Sequence, residues 1–381
     1  MISPLRRPRR DSRSWIVGTA ACTVLAACGT AAPVTGPSIA PSTSASSPTG
    51  ASPAQTSFAP TTVTLITHDS FAHPESLLAD FTARTGITVT LVSVGDAGEV
   101  VNKAALTAGN PEGDVLFGVD NTLLSRALDA GVFDPYVSPA AATAVSSALK
   151  VSTRDAVTPI DYGDVCVNLD DTWFASHQLD EPKTLADLVD PKYRGLLVVE
   201  NAATSSTGLA FLLATVARYG DDGFADFWTA LRANDVKVVN GWTEAYEGEF
   251  TTGGKGSRPI VVSYASSPPA EIVYAADPKP TKPTTSVMTD GCFRQVEYAG
   301  VLKGTKHPEA ARAVVDWLLS PAVQADVPLS MFVFPVLDTV ALPKVFSDFA
   351  ARPAEPLTLD PAQIDANRSA WLETWDQVTL R

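Results

Sequence analysis

Methionine, histidine and cysteine are scarce in this chain of 381 residues: it has three, four and four of them. Four histidines (His68, His73, His177 and His307) leave little material for metal centres or acid–base chemistry. No His-Glu-x-x-His, Cys-x-x-Cys or Gly-x-Ser-x-Gly pattern occurs. The zinc-protease, dithiol-redox and serine-hydrolase signatures are therefore excluded. His68 beside Asp69 is the nearest approach to an acid–base pair, and a histidine satisfied by a neighbouring hydrogen bond is its plainer reading. Neither catalytic residues nor a metal site nor a cofactor is expected, and the chain does not read as an enzyme.

Positive charge is also short. Lys and Arg number 28 against 42 Asp and Glu, a net charge of -14. The first 27 residues carry five arginines and one acid, so the rest is more acidic still. Such a surface excludes nucleic acid and anionic lipid as partners and suits a cationic ligand. Long apolar runs are missing too. The N-terminal stretch 15–25 follows a basic segment, Arg6 to Arg13, and is too short for a comfortable membrane span. Next comes Leu25-Ala26-Ala27-Cys28, which resembles a bacterial lipobox. Residues 1–27 are thus expected to be a lipoprotein signal peptide and Cys28 the lipidated N-terminus. The residues after Arg6-Arg7 and Arg9-Arg10 fit a twin-arginine signal poorly. Residues 28–60, nearly all Ala, Ser, Thr, Pro and Gly, read as a disordered tether. The expected location is the outer side of the cell membrane, anchored by lipid alone. Cys22 leaves with the signal, which leaves Cys166 and Cys292 as a pair in an oxidising compartment, so a disulfide between them is predicted.

The folded body starts near residue 61. Stretches 62–67, 87–94 and 114–120 read as strands, and 74–85, 96–108 and 123–130 as helices. This alternation predicts an α/β fold with a parallel sheet, whose ligands gather at the carboxyl ends of strands. Those ends carry His68-Asp69-Ser70 and Asp120-Asn121. Residues 159–163 lead into an apolar strand at 165–169 and read as a crossing into a second lobe. A helix near 185–188, a strand at 195–200, helices at 209–219 and 223–234 and a strand at 236–239 follow. Thr204, Ser205, Ser206, Thr207 and Gly208 lie between a strand and a helix N-terminus. One hydroxyl suffices for a cap, so four in a row predict an anion site. Beyond these come a strand at 259–264, a short helix ending near Tyr274, a return strand at 292–302, and helices at 308–319 and 361–378.

The segment Val239-Asn240-Gly241-Trp242-Thr243-Glu244-Ala245-Tyr246 stands out. On one helical turn Trp242 and Tyr246 share a face. Two rings with a carboxylate nearby suit a flat cationic ligand, although ordinary packing also explains such a pair.

From about Thr62 to its C-terminus the chain resembles periplasmic thiamine-binding proteins, the solute receptors of thiamine ABC importers. The resemblance is carried by Asp69-Ser70-Phe71, Gly118-Val119-Asp120-Asn121, Asp161-Tyr162-Gly163, Thr204-Ser205-Ser206-Thr207-Gly208, Gly241-Trp242-Thr243-Glu244-Ala245-Tyr246, Val262-Ser263-Tyr264-Ala265-Ser266-Ser267-Pro268 and Phe334-Pro335-Val336. It implies a two-lobed type II periplasmic-binding-protein fold with a hinged cleft between the lobes. Lobe 1 would take residues 61–161 and about 290–335, and lobe 2 about 162–289 and 336–381. It implies ring contacts from Trp242 and Tyr264, and a place for the hydroxyethyl or phosphate end at Ser205, Ser206, Thr207 and Gly208. Asp69 and Asp120 would meet the aminopyrimidine or the thiazolium charge. Ser70, Asp161, Tyr162, Tyr246 and Phe332 complete the expected ligand set. The partners implied are thiamine or its phosphates and the permease subunits of an ABC transporter, with the receptor itself a monomer. Three positions depart from the family pattern: His68 and Ala270 stand where relatives carry aromatics, and Phe332 where a tryptophan is usual. Tyr274 lies one turn beyond Ala270. The competing ligands on this fold are a polyamine, a thiamine precursor and ferric iron. A polyamine leaves the hydroxyl loop unexplained. Iron wants adjacent tyrosines, and Tyr246, Tyr264 and Tyr274 are not adjacent.

Overall fold

The structure is a computed structural model that describes residues 57–381 except 151, 152 and 255. The signal peptide, Cys28 and nearly all of the expected tether lie outside the described residues.

The described residues begin with β1 (Thr61–Thr67), α1 (Glu75–Thr85), β2 (Ile87–Ser93), α2 (Ala97–Leu106), β3 (Val115–Asp120), α3 (Leu124–Asp129) and α4 (Pro139–Ala144). Local chemistry sets these boundaries. The turn after α1 is made by Gly86 at φ 80°, where its N–H bonds the carbonyl of Thr82. The Asp96 carboxylate caps α2 by accepting from Ala97 N–H. The two long strands follow the same logic on a larger scale. β4 (Thr158–Asp170) and β8 (Thr285–Val301) pair antiparallel from Thr158↔Ala299 to Asp170↔Thr285. Between them in sequence lie α5 (Asp171–His177), β5 (Leu197–Glu200), α6 (Ser206–Ala233), β6 (Lys237–Val239), β7 (Ile260–Tyr264) and α7 (Pro269–Val273). After β8 come α8 (Pro308–Leu318), α9 (Pro321–Ser330), β9 (Phe334–Pro335), α10 (Lys344–Phe349) and α11 (Pro361–Thr379).

Among the described residues nine strands join one sheet in the order β2-β1-β3-β8-β4-β7-β5-β6, with β9 on β4. The parallel pairing expected of the first three strands is found, but the sheet as a whole is mixed. β1–β2, β1–β3, β5–β6 and β5–β7 are parallel, but β8 is antiparallel to β3 and β4, and β4 is antiparallel to β7. Strand direction here depends on where the chain returns, which local alternation does not encode. β8 also begins seven residues before the predicted return strand. The C-terminal half of β8 completes the β1–β3 group, while the second half of β4 carries β7, β5 and β6. Register shifts fall at 159/161 and 165/167 of β4, where the ladder bends between the groups. The predicted disulfide is present: Cys166 and Cys292 join β4 to β8 beside that bend.

Each half of the sheet is covered by helices. Trp317 and Phe81 meet beside β1, at 5.3 Å between ring centroids. On the other half, α6 and α11 cross with Trp228 and Trp375 edge to face at 5.7 Å. The two helices predicted at 209–219 and 223–234 form one span broken at Gly220, whose φ of 74° no helical residue adopts. Trp371 donates through Nε1 to Asp221 beside that break. The helix predicted near 185–188 is a single 3-10 turn, Leu185–Val189.

Candidate functional site

Trp242 follows β6, just before a π-helical turn, Glu244–Glu249. The wider turn keeps residues 242 and 246 on one face, and the indole stacks on Tyr246 at 5.0 Å and 11°. Tyr246 is the buried partner, packed with Val198, Val239, Phe250 and Val261. Burial pushes its hydroxyl above the usual tyrosine range. Trp242 is half-buried, and its Nε1 donates to Ser263 Oγ at 2.9 Å. Ser263 in turn shares a hydrogen bond with Ser267 at 3.0 Å. The indole is thus fixed by a ring behind it and a hydroxyl at its edge. Glu244 turns aside and accepts from Asn240 N–H.

The hydroxyl loop before α6 divides its work. Ser205 caps the helix by accepting from Gly208 N–H, and it shares a hydrogen bond with Thr207. Thr204 donates to the carbonyl of Asn240. Ser205, Ser206 and Thr207 are all buried, and only Thr204 of the row is partly exposed. At this N-terminus sits a side-chain carboxyl group of the protein itself. Asp96 Oδ1 accepts from Ser206 N–H at 3.2 Å, and Asp96 Oδ2 accepts from Trp242 N–H at 2.9 Å. Burial pushes the Asp96 carboxyl up, against the pull of the Trp242 N–H, His68, Ser205 and the Ala97 N–H. Glu200 lies at the end of β5 in the same corner, wholly buried, and burial with Asp96 nearby pushes it well above the usual range.

On the opposite side, Asp69 is exposed and accepts from Thr243 Oγ1 at 3.2 Å. Ser70 shares a hydrogen bond with His68 Nδ1 at 2.9 Å. The other His68 nitrogen meets Glu297 at 3.3 Å, with both side chains buried. His68 lies this deep because Gly118, at φ 97°, has no side chain; a Cβ there would stand 2.4 Å from the ring. Burial lowers the His68 pKa, but Glu297, Asp96 and Asp69 raise it further, so the net shift is upward. Burial would raise Glu297, but the paired His68 and the adjacent Asp161 win and lower it. Asp161 is held well above the usual carboxylate range by burial and by Glu297.

Asp120 serves mainly as a cap. It accepts from Thr122 N–H, Thr122 Oγ1 and Leu123 N–H at the start of α3, and burial pushes it up to about 7. Its second oxygen accepts from Gln295 Nε2 at 2.7 Å, and Gln295 accepts from the Tyr264 hydroxyl at 2.5 Å. The Tyr264 ring lies over Gly163, where a Cβ would come within 2.6 Å of it. Burial, then Glu297, Asp96, Asp120 and Asp161, raise the Tyr264 hydroxyl well above the usual range. Tyr264 therefore marks the middle of an acidic cluster. Tyr162 and Phe332 stand to one side of it. Tyr162 stacks on Phe334 at 5.4 Å beneath Arg294, which is itself paired to Asp164. Phe332 packs with Phe334 and Phe346 and meets Tyr274 edge to face.

The structure thus brings Asp69, Ser205, Ser206, Trp242 and Tyr264 around one polar corner and sets Tyr246 behind it. The sequence reading missed Asp96, Gln295 and Glu297. Gly95-Asp96-Ala97-Gly98, a carboxylate between two glycines, was a signal for the first. For the other two, inside an apolar strand, there was none.

Two halves of a sheet, joined by crossing strands and facing one another across a polar corner, define a two-lobed receptor for a small solute. A family model for bacterial extracellular solute-binding proteins matches residues 110–352, and the chain belongs to that family. The thiamine-binding periplasmic protein of Salmonella typhimurium is 31% identical over 85% of this chain and 95% of its own. That of Escherichia coli is 30% identical over the same shares. A solved periplasmic thiamin binding protein matches with TM-score 0.74 at 29% identity, covering 84% of this chain and 96% of that one. A ferric binding protein from Campylobacter jejuni matches with TM-score 0.68 at 16% identity, a likeness of fold alone.

Proposed function

We propose that this chain captures thiamine outside the cytoplasm and delivers it to an ABC importer, as a stoichiometric receptor with no turnover. Residue 242 carries the reading: the Trp242 indole is held rigidly by Tyr246 and Ser263 on the rim of a cluster of carboxylates. A flat cation is what such a site favours, since a ring attracts its face and the acids its charge. Relatives at about 30% identity bearing the thiamine-binding name support the same ligand. Asp69, Ser70, Asp161, Tyr162, Ser205, Tyr264 and Phe332 are proposed as further ligand contacts, and Cys28 as the lipid anchor. Hydrolysis of ATP falls to the partner transporter.

The iron reading is weaker on residue grounds. The Tyr246 hydroxyl is buried behind Trp242, and the Tyr264 hydroxyl is engaged by Gln295. Calorimetric titration of the mature protein with thiamine, its monophosphate, spermidine and ferric citrate tests the proposal. One-to-one binding of thiamine or its monophosphate is expected, and spermidine or iron binding in their place would refute it.

A further inference from the structure

We infer that Asp96 is the clasp that holds the cleft shut and positions Trp242 for the ligand. The inference rests on reading the corner between α2 and the loops at 201–206 and 240–243 as the mouth of the ligand cleft. Asp96 belongs to the β1–β3 half, where it caps α2. Its two oxygens nevertheless accept from N–H groups of the other half, one at the start of α6 and one on Trp242 itself. A carboxylate at a helix N-terminus and on a free backbone N–H is a charge-assisted contact, stronger than a neutral one.

Two glycines show that this approach is built in. A Cβ at Gly98, the second residue of α2, would stand 2.4 Å from the carbonyl oxygen of Thr204 across the cleft. A Cβ at Gly241 would stand 2.9 Å from Asp96 Oδ2. Neither glycine needs a left-handed φ, so close contact between the halves is what their bareness serves. The clasp grips the backbone of the residue whose ring is proposed to stack on the ligand. Closing therefore fixes the ring, and opening frees it. Asp96 acts through Trp242 and α6, which makes it a positioning residue.

The test compares the parent with Asp96→Asn and Gly98→Ala. Asn keeps an acceptor for the α2 cap but can turn an amide nitrogen toward Trp242 N–H. Ala at 98 leaves the carboxylate intact and obstructs the approach sterically. Stopped-flow tryptophan fluorescence gives association and release rates for thiamine, and small-angle scattering gives the dimensions of the ligand-free protein. Both variants are expected to release thiamine about ten- to a hundredfold faster, with association no slower, and to scatter as more extended particles. Release and scattering at parent values in both variants would overturn the inference. So would faster release in Asp96→Asn with Gly98→Ala unchanged, since the carboxylate would then act on the ligand directly. If the parent binds no thiamine, the proposed function fails, and the scattering arm still decides the clasp. Circular dichroism melting confirms that each variant is folded.

Discussion

Trp242 has one face on Tyr246 and its edge on Ser263, so replacing it tests binding more than folding. Aromatic stacking contributes about 0.5–1.5 kcal/mol beyond burial, and a desolvated cation over a ring about 2 kcal/mol. Trp242→Ala is expected to weaken thiamine roughly 30- to 1000-fold by calorimetry, with a modest loss of melting temperature from the broken stack. Affinity equal to the parent's would reduce the indole to packing. A second prediction concerns His68 and Glu297, which face Asp69, Asp96 and Asp161 as well as each other. The folded-state pKa of His68 is raised above 6.5, so its stabilisation is complete below that pH and is lost as pH rises through the folded value. The folded-state pKa of Glu297 is lowered below 4.5, so its stabilisation is complete above that pH and is lost as pH falls. The pair thus contributes fully between pH 4.5 and 6.5. The difference in melting temperature between the parent and a His68→Gln, Glu297→Gln double variant should be largest in that window. A difference that does not vary with pH would show that the pair is not ionised.

β4 and β8 carry the join between the halves, and the Cys166–Cys292 disulfide pins them beside the bend. It closes a sequence separation of 126 residues. Its removal in a Cys166→Ser, Cys292→Ser double variant is expected to cost about 2–5 kcal/mol and lower the melting temperature by several degrees. An unchanged melting curve would mean that the strand ladder alone holds the join. Sequence showed most elements, because caps and β-branched runs act locally: Gly86 stops α1, and Thr61–Thr67 is a strand by composition. Pairing was hidden, because β3 finds its neighbour β8 far along the chain. The site divided the same way. Trp242 and Tyr246 were visible as rings four residues apart, and their stack follows from that spacing. Asp96 was only the first residue of a predicted helix, because the groups it reaches lie more than a hundred residues away. Asp120 stood out at a strand end where ligands gather, while its cap on α3 and its bond from Gln295 were not legible, because Gln295 lies far along the chain.

The molecule as a whole is acidic, with a net charge of -14, and a cation approaching it is steered by that field. The association rate for thiamine should therefore fall as ionic strength rises, while release changes little. A rate indifferent to salt, measured by stopped flow between about 20 and 500 mM, would show that local contacts alone govern capture. The order of strands has a consequence in time. β1, β2 and β3 are made early, yet the strand that completes their sheet, β8, ends at residue 301. β4 waits for the same partner. Neither half can close its ladder until some three-quarters of the chain has been synthesised, and contacts of such long range form slowly. A chain ending at residue 284 is expected to show no cooperative melting transition, and a cooperative one would refute this dependence on β8. Both groups of strands accordingly wait, each lacking one shared neighbour, for the last quarter of the chain to be made.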